Sequence, residues 1–262
     1  MSIYDNPPVV VRGGGDLATG TIYRLHKAGF PVLVLETGQP LAVRRAVSVC
    51  EAVYEGRWTV EGMECRLISS LDDFDPGVVG VLIDPGGKSL AEVRPRILID
   101  AIMAKRNTGT SREMAPVTIA LGPGFCAPRD VRYVIETMRG HSLGRVIAKG
   151  TAIPDTNLPG VIMGCGIERL LRAPAEGRLV SRKTIGDLVE AGEVVGEIAG
   201  VPVQADIPGV IRGLIHPSVE CRQGMKIGDV DPRGVIDYCF TISEKSLAVA
   251  GGVMEAVSYP NR

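Results

Sequence analysis

Two grammars of apolar and polar positions follow one another along the chain, and the change falls after Lys149. Pro8-Val9-Val10-Val11-Arg12 is a short β-branched run, broken by Gly13-Gly14-Gly15-Asp16. Leu17 to Ala28 then carries apolar residues at helical spacing, Leu17, Ile22 and Leu25, and Gly29 ends it. Pro31 to Glu36 reads as a second buried strand, so the opening predicts a βαβ unit with a right-handed crossover. Further buried strands are predicted at Val78–Ile83, Arg96–Ile99, Val117–Leu121 and Arg145–Ala148. Arg57–Val60 and Met63–Ile68 flank Glu61-Gly62 like a hairpin. Helical stretches are expected over Arg44–Tyr54, Asp100–Arg106 and Asp130–Arg139. Alternating strands and helices of this kind predict a Rossmann-like α/β domain with a mainly parallel sheet over residues 1–150.

Residues 151–240 carry almost no helical period beyond a turn at Ile167–Leu171; Gly or Pro cuts short alternating strands instead. Gly186-Asp187-Leu188-Val189-Glu190-Ala191-Gly192 and Ile207-Pro208-Gly209-Val210-Ile211-Arg212-Gly213 resemble the biotinyl/lipoyl barrel-sandwich fold. That resemblance implies a β-rich barrel-sandwich module. A carrier lysine is missing from the corresponding tip, Glu197–Gln204, so no swinging arm is expected. Ser243–Val257 reads as a helix interrupted by Gly251-Gly252, and residues 241–262 are expected to pack on the first domain.

Composition narrows the function classes. Apolar residues are 45% of 262, enough for a sizeable core. A net charge of −1 with 4% aromatics speaks against nucleic acid and anionic membranes as partners. No apolar run approaches a membrane span, Met1–Pro8 lacks the marks of a signal peptide, and a cytoplasmic location is expected. Cys50, Cys65, Cys126, Cys165, Cys221 and Cys239 form no CxxC pair, and His26, His141 and His216 are scattered. Free thiols and no metal site are the expectation.

Gly13-Gly14-Gly15-Asp16-Leu17-Ala18 fits G-x-G-x-x-A between a strand and a helix. Glycines there let the backbone approach a phosphate, and a helix N-terminus offers N–H groups to it. Glu36 closes the second strand, where an acid accepts ribose hydroxyls. The candidate cofactor site is therefore Gly13, Gly14, Gly15, Asp16, Ala18 and Glu36, for NAD(P) or another nucleotide. Asp16 opposes phosphate unless it caps the helix. Gly87-Lys88-Ser89 is no P-loop, since the position needing glycine is Leu82. Asp84, in Asp84-Pro85-Gly86-Gly87 after a buried strand, is a candidate carboxylate. Gly122-Pro123-Gly124-Phe125-Cys126 offers Gly122 and Gly124 to an anion and Cys126 as a candidate reactive thiol near an expected helix start. His141 stands as a candidate acid or base beside a helix-end role.

Val11 to Gly20, Gly122-Pro123-Gly124-Phe125, Arg139 to Arg145, Glu168-Arg169, Arg172-Ala173-Pro174 and Lys226 to Arg233 together resemble the YqeB family. The resemblance implies an accessory role in maturing a selenium-dependent molybdenum hydroxylase. The implied partner is a client enzyme of the xanthine dehydrogenase type; the ligand expected over the glycine loop is NAD(P) or a molybdopterin nucleotide. It carries no assigned catalytic residues. The alternative class is a free-standing NAD(P)-dependent oxidoreductase, which would need a hydride-transfer constellation such as a Tyr-x-x-x-Lys pair, and none is expected among the six tyrosines. Homo-oligomerisation stays open.

Overall fold

The computed structural model describes residues 7–156 and 158–259. The chain forms two compact units: Met1–Pro40 with Ser48–Thr156 and Ile242–Arg262, and Leu41–Val47 with Asn157–Thr241. Helices α1 (Asp16–Lys27), α2 (Ala52–Glu55), α3 (Leu90–Val93), α4 (Asp237–Phe240) and α5 (Glu244–Ser258) are formed, with α4 in the second unit. Only α1 and α5 exceed one turn, with 12 and 15 residues.

In the first unit the strands are β1 (Val9–Arg12), β2 (Val32–Glu36), β3 (Arg57–Val60), β4 (Met63–Ile68), β5 (Val79–Ile83), β6 (Ile97–Asp100), β7 (Val117–Leu121), β8 (Cys126–Ala127), β9 (Tyr133–Ile135), β10 (Val146–Ile147) and β11 (Gly150–Thr151). Nine of them make one sheet, ordered β10-β9-β7-β6-β1-β2-β5-β4-β3. The strands from β9 to β4 in that order pair in parallel, while β10 and β3 run antiparallel at the two edges. The central strands are buried on both faces, which is why Val9–Val11 and Val32–Leu35 read as unbroken apolar runs. Val60 pairs with Met63 across Glu61 and Gly62, both at positive φ (46° and 75°), the backbone of a tight hairpin turn.

Helix α1 buries Ala18, Ile22 and Leu25. It lies so close to α5 that the Gly20 N–H donates to the Ser246 hydroxyl at 3.0 Å, and that hydroxyl in turn reaches the Asp16 and Leu17 carbonyls. A Cβ on Gly20 would sit 2.4 Å from Ser246 Oγ, so the approach requires glycine. Gly251 and Gly252 do not interrupt α5, which runs unbroken through both.

The Rossmann-like domain is not what forms. The sheet is mixed, and the crossovers expected to be helical after β6 and β7 are loops. Residues 101–111 follow β6 without a helix, with Met103 and Lys105 in left-handed backbone. The stretch expected as the helix Asp130–Arg139 contains β9 instead. Val131, Val134, Ile135 and Met138 do fall at helical spacing. So short a β-branched run also fits a buried strand, and pairing with β7 decides it. Arg44–Tyr54 is likewise two 3₁₀ turns leading into α2.

The second unit holds β12 (Leu170–Arg172), β13 (Val180–Ser181), β14 (Leu188–Val189), β15 (Val194–Ile198), β16 (Val201–Gln204), β17 (Gly209–Leu214) and β18 (Lys226–Asp231). They form separate antiparallel sheets, β12-β18-β17-β14 and β13-β15-β16. The biotinyl/lipoyl-like barrel-sandwich module is thereby corrected to one four-stranded and one three-stranded antiparallel sheet. Its motif residues recur in β14 and β17, but Gly-Asp and Pro-Gly turns mark strand ends in any small antiparallel sheet. Arg169 and Asp229 form a buried pair in which one guanidinium nitrogen, Nη2, donates to both carboxylate oxygens at 2.9 and 3.0 Å. Leu41–Val47 belongs here by direct bonds: Arg44 donates to the Tyr238 carbonyl at 3.2 Å and Arg45 to the Leu214 carbonyl at 2.8 Å.

Candidate functional site

Parallel pairing from β5 to β9 sends the loops after β1, β2, β5, β6 and β7 to one edge of the sheet, where open α/β sheets hold ligands. The glycine loop lies at its centre. Gly13 has φ +91°, and a Cβ there would meet the Ala101 carbonyl oxygen at 2.9 Å. A Cβ on Gly14 would meet Cys50 N at 3.0 Å. The fold therefore demands glycine at Gly13 and leaves little room for a Cβ at Gly14. Gly15 differs: its φ of −67° and ψ of 176° suit any residue, and a Cβ would meet nothing within 4 Å. It is the N-cap of α1, beside the N–H groups that a helix start leaves without intrahelical partners. Ala18 is buried in the helix interface with the core.

Glu36 reaches back to this loop. One carboxylate oxygen accepts the Gly14 N–H at 2.7 Å and the other accepts the Thr37 N–H at 2.7 Å. Each oxygen keeps lone-pair capacity for a further donor such as a ribose hydroxyl. Cys50 is the thiol beside the loop, its own N–H donating to the Gly14 carbonyl at 2.9 Å. Burial, with Glu36, Glu51 and Asp16 nearby, pushes that thiol well up, so it is neutral.

Beneath the loops runs a buried polar network that the sequence reading passes over. Arg12, the last residue of β1, donates to Thr110 Oγ1 at 2.5 Å and to the Pro85 carbonyl at 3.1 Å. Thr110 donates to Asp100 Oδ2 at 2.5 Å, and Arg12 lies 3.9 Å from the same oxygen. Burial pushes the Asp100 carboxyl up, against the pull of Thr110, the Ile102 N–H and Arg12. The available signal was a charge closing each of two apolar strands. Lys245 is also new: burial lowers its pKa and Arg139 adds to that, while Asp16, Asp155 and Glu136 oppose. Nothing around it in the sequence marks it out.

Asp84 follows β5. Its oxygens accept the Lys88 N–H at 3.0 Å and the Ser89 N–H and hydroxyl, both at 2.7 Å. Burial alone would raise this carboxyl, but those bonds together hold it below its ordinary value. An acid depressed on folding stabilises fully above its unfolded pKa, and that contribution is lost as pH falls through the folded value. Asp84→Ala is therefore expected to lower the melting temperature near neutral pH, with the gap to wild type closing as pH falls below the ordinary carboxylate range. Melting curves from pH 2 to 7 check this.

Gly122 and Gly124 follow β7. A Cβ on Gly122 would meet Thr137 Oγ1, just after β9, at 2.6 Å, and one on Gly124 would meet Arg106 Cα, in the loop after β6, at 2.7 Å. Cys126 lies in β8, paired with Thr151 of β11, and its N–H donates to Asp130 at 2.8 Å. No helix begins at Asp130, so the cysteine has no helix dipole beside it. Asp84 follows β5 and Cys126 lies beyond β7, strands whose ends stand four strand positions apart, roughly 19 Å. His141 is exposed in the turn before β10. One Tyr-x-x-x-Lys spacing does occur, Tyr23 to Lys27, where the ammonium stands 5.5 Å from the centre of the tyrosine ring; both residues lie in the second half of α1, away from the glycine loop. Among the described residues no helix is long and apolar enough to cross a membrane.

No family model matches the chain. Among solved structures it is similar to an aspartoacylase family protein of Mesorhizobium loti, at 10% identity and TM-score 0.28, over 86% of this chain and 85% of that one. It is similar also to the ectoine utilization protein EutE (DoeB) of Ruegeria pomeroyi, at 14% identity and TM-score 0.29, over 86% and 85%. Likeness at that level carries nothing further about this chain. The uncharacterized protein YqeB of Escherichia coli (strain K12) is 45% identical over 253 residues, 95% of this chain and 47% of YqeB. The chain thus spans about half the length of that relative. The chain is therefore similar to a stretch that makes up about half of YqeB.

Proposed function

We propose that the chain binds a nucleotide, NAD(P) or a molybdopterin nucleotide, over the Gly13–Asp16 loop, and that it serves there as a maturation factor for a selenium-dependent molybdenum hydroxylase of the xanthine dehydrogenase type. The carrying observation is Gly15. Gly13 and Gly14 are crowded by neighbouring backbone, whereas a Cβ on Gly15 would meet nothing within 4 Å. A glycine that the fold does not require, at the N-cap of a 12-residue helix, fits a position kept bare for a ligand phosphate. Glu36, with lone pairs to spare at the end of β2, fits a ribose. The maturation role rests on the likeness to the YqeB family.

Gly15→Val separates fold from function, because its Cβ enters open space. The variant is expected to melt with wild-type protein and to lose at least about tenfold in nucleotide affinity, since one bulky group displaces a phosphate worth more than 1.4 kcal/mol. Calorimetry of both proteins against NAD(P), FAD, ATP, CTP and molybdopterin nucleotide measures this. Silence of every ligand at millimolar concentration assigns the loop a packing role only. In cells, deletion is expected to leave the hydroxylase present and inactive; turnover of NAD(P)H on a metabolite panel by the purified protein would favour an oxidoreductase instead.

A further inference from the structure

Residues 156–167, Thr-Asn-Leu-Pro-Gly-Val-Ile-Met-Gly-Cys-Gly-Ile, contain no charged side chain. Within them Ile162 and Cys165 exchange backbone bonds at 2.9 Å in each direction, closing a tight hairpin. Met163 and Val161 are 73% and 71% exposed, the two highest values of any large apolar side chain among the described residues; Leu158 follows at 70%, and Ile167 is 57% exposed. The hairpin is anchored from below. Arg169 donates to the Gly160 carbonyl at 2.9 Å while Asp229 grips the same guanidinium through both oxygens. Three apolar side chains within seven residues are thus held out in water on a preformed support, and exposed apolar surface concentrated in this way marks a contact surface. With no cation in the stretch, phosphate backbones and anionic lipids find no partner there.

YqeB supplies the occupant. It matches this chain over 47% of its length, so about half of that protein lies outside the match and has to pack somewhere. We propose that the Val161–Met163–Ile167 face is the seat of a polypeptide related to that remaining half of YqeB. This proposal rests on the relationship to YqeB and not on nucleotide binding, so a silent nucleotide titration leaves it standing.

The test co-expresses this chain with the unmatched half of Escherichia coli YqeB, so that neither has to fold alone, and follows the pair by affinity capture and sedimentation velocity. A stable one-to-one complex is expected. The double variant Val161→Asp/Met163→Asp is expected to weaken it by at least about tenfold, the usual effect of spoiling an apolar anchor at the centre of an interface. Its own melting point should not move, because both side chains are exposed. Absence of a complex overturns the proposal, and so does equal binding by the variant. It is overturned equally if the chain alone sediments as a dimer that the variant dissolves, which makes the face a self-contact. Co-sedimentation with neutral phosphatidylcholine vesicles, lost in the variant, would make it a lipid contact and overturn it too.

Discussion

Gly252→Ala is expected to lower the melting temperature by about 6–12 °C, the equivalent of about 3 kcal/mol in a unit of this size. Helix propensity alone predicts the opposite, since alanine in a helix interior is favoured over glycine by about 1 kcal/mol. The reversal is steric. A Cβ on Gly252 would lie 2.0 Å from the Gly144 carbonyl oxygen and 3.0 Å from Ile135 Cγ2, and backbone lines one side of that contact. Gly144 has φ +80°, and a Cβ there would in turn meet the Ala248 carbonyl at 2.4 Å, so α5 and the 140–145 turn are in backbone contact twice. Gly251 is the internal control. It is exposed, with nothing within 4 Å of a Cβ, and Gly251→Ala should stabilise by about 0.5–1 kcal/mol. Thermal melts of the two variants, one residue apart, therefore move in opposite directions; a stabilised Gly252→Ala would refute the docking of α5.

Arg12→Ala is expected to cost about 3–5 kcal/mol, because removing one partner of a buried pair strands the other. The side chains of Arg12 and Asp100 are 5% and 3% exposed. Without the guanidinium, Asp100 keeps only Thr110 and the Ile102 N–H against its desolvation. The Pro85 carbonyl and Thr110 each lose a donor as well, so the loops after β5 and β6 come loose from β1 together. Arg12→Lys restores one charge without the planar fork that spans Thr110 and Pro85 at once, and should recover part of the loss. Urea denaturation of the three proteins gives the values; a loss below about 1 kcal/mol for Arg12→Ala would show the pair to be solvated.

The β1–α1–β2 opening is legible in the sequence because local signals agree there: a β-branched run, a glycine break, a helical period and a second apolar run. The hairpin around Glu61-Gly62 is legible for the same reason. Residues 130–139 are not, since Val131, Val134, Ile135 and Met138 satisfy both a helix and a short buried strand, and only the neighbouring β7 settles which forms. The loop after β6 fails similarly: Met103 and Lys105 sit in left-handed backbone that neither residue type favours, and long-range packing holds them there. At the site, the glycines and Glu36 are readable from spacing. Arg12, Thr110, Asp100, Cys50 and Lys245 are assembled from four separate stretches of chain, and nothing local to any one of them announces the others.

Leu41–Val47 leaves one unit, completes the other, and the chain then returns to finish the first. Neither unit is a contiguous gene segment. A fragment cut at the 156–157 and 241–242 boundaries would encode the second unit without the seven residues whose Arg44 and Arg45 bind the Tyr238 and Leu214 carbonyls. During synthesis the second unit cannot close until Tyr238 has emerged, and the first waits longer still for α5, from Glu244 onward. Both therefore mature almost together, once the stretch from Tyr238 through α5 has emerged, and neither can be lost or exchanged by a single recombination event without damage to the other.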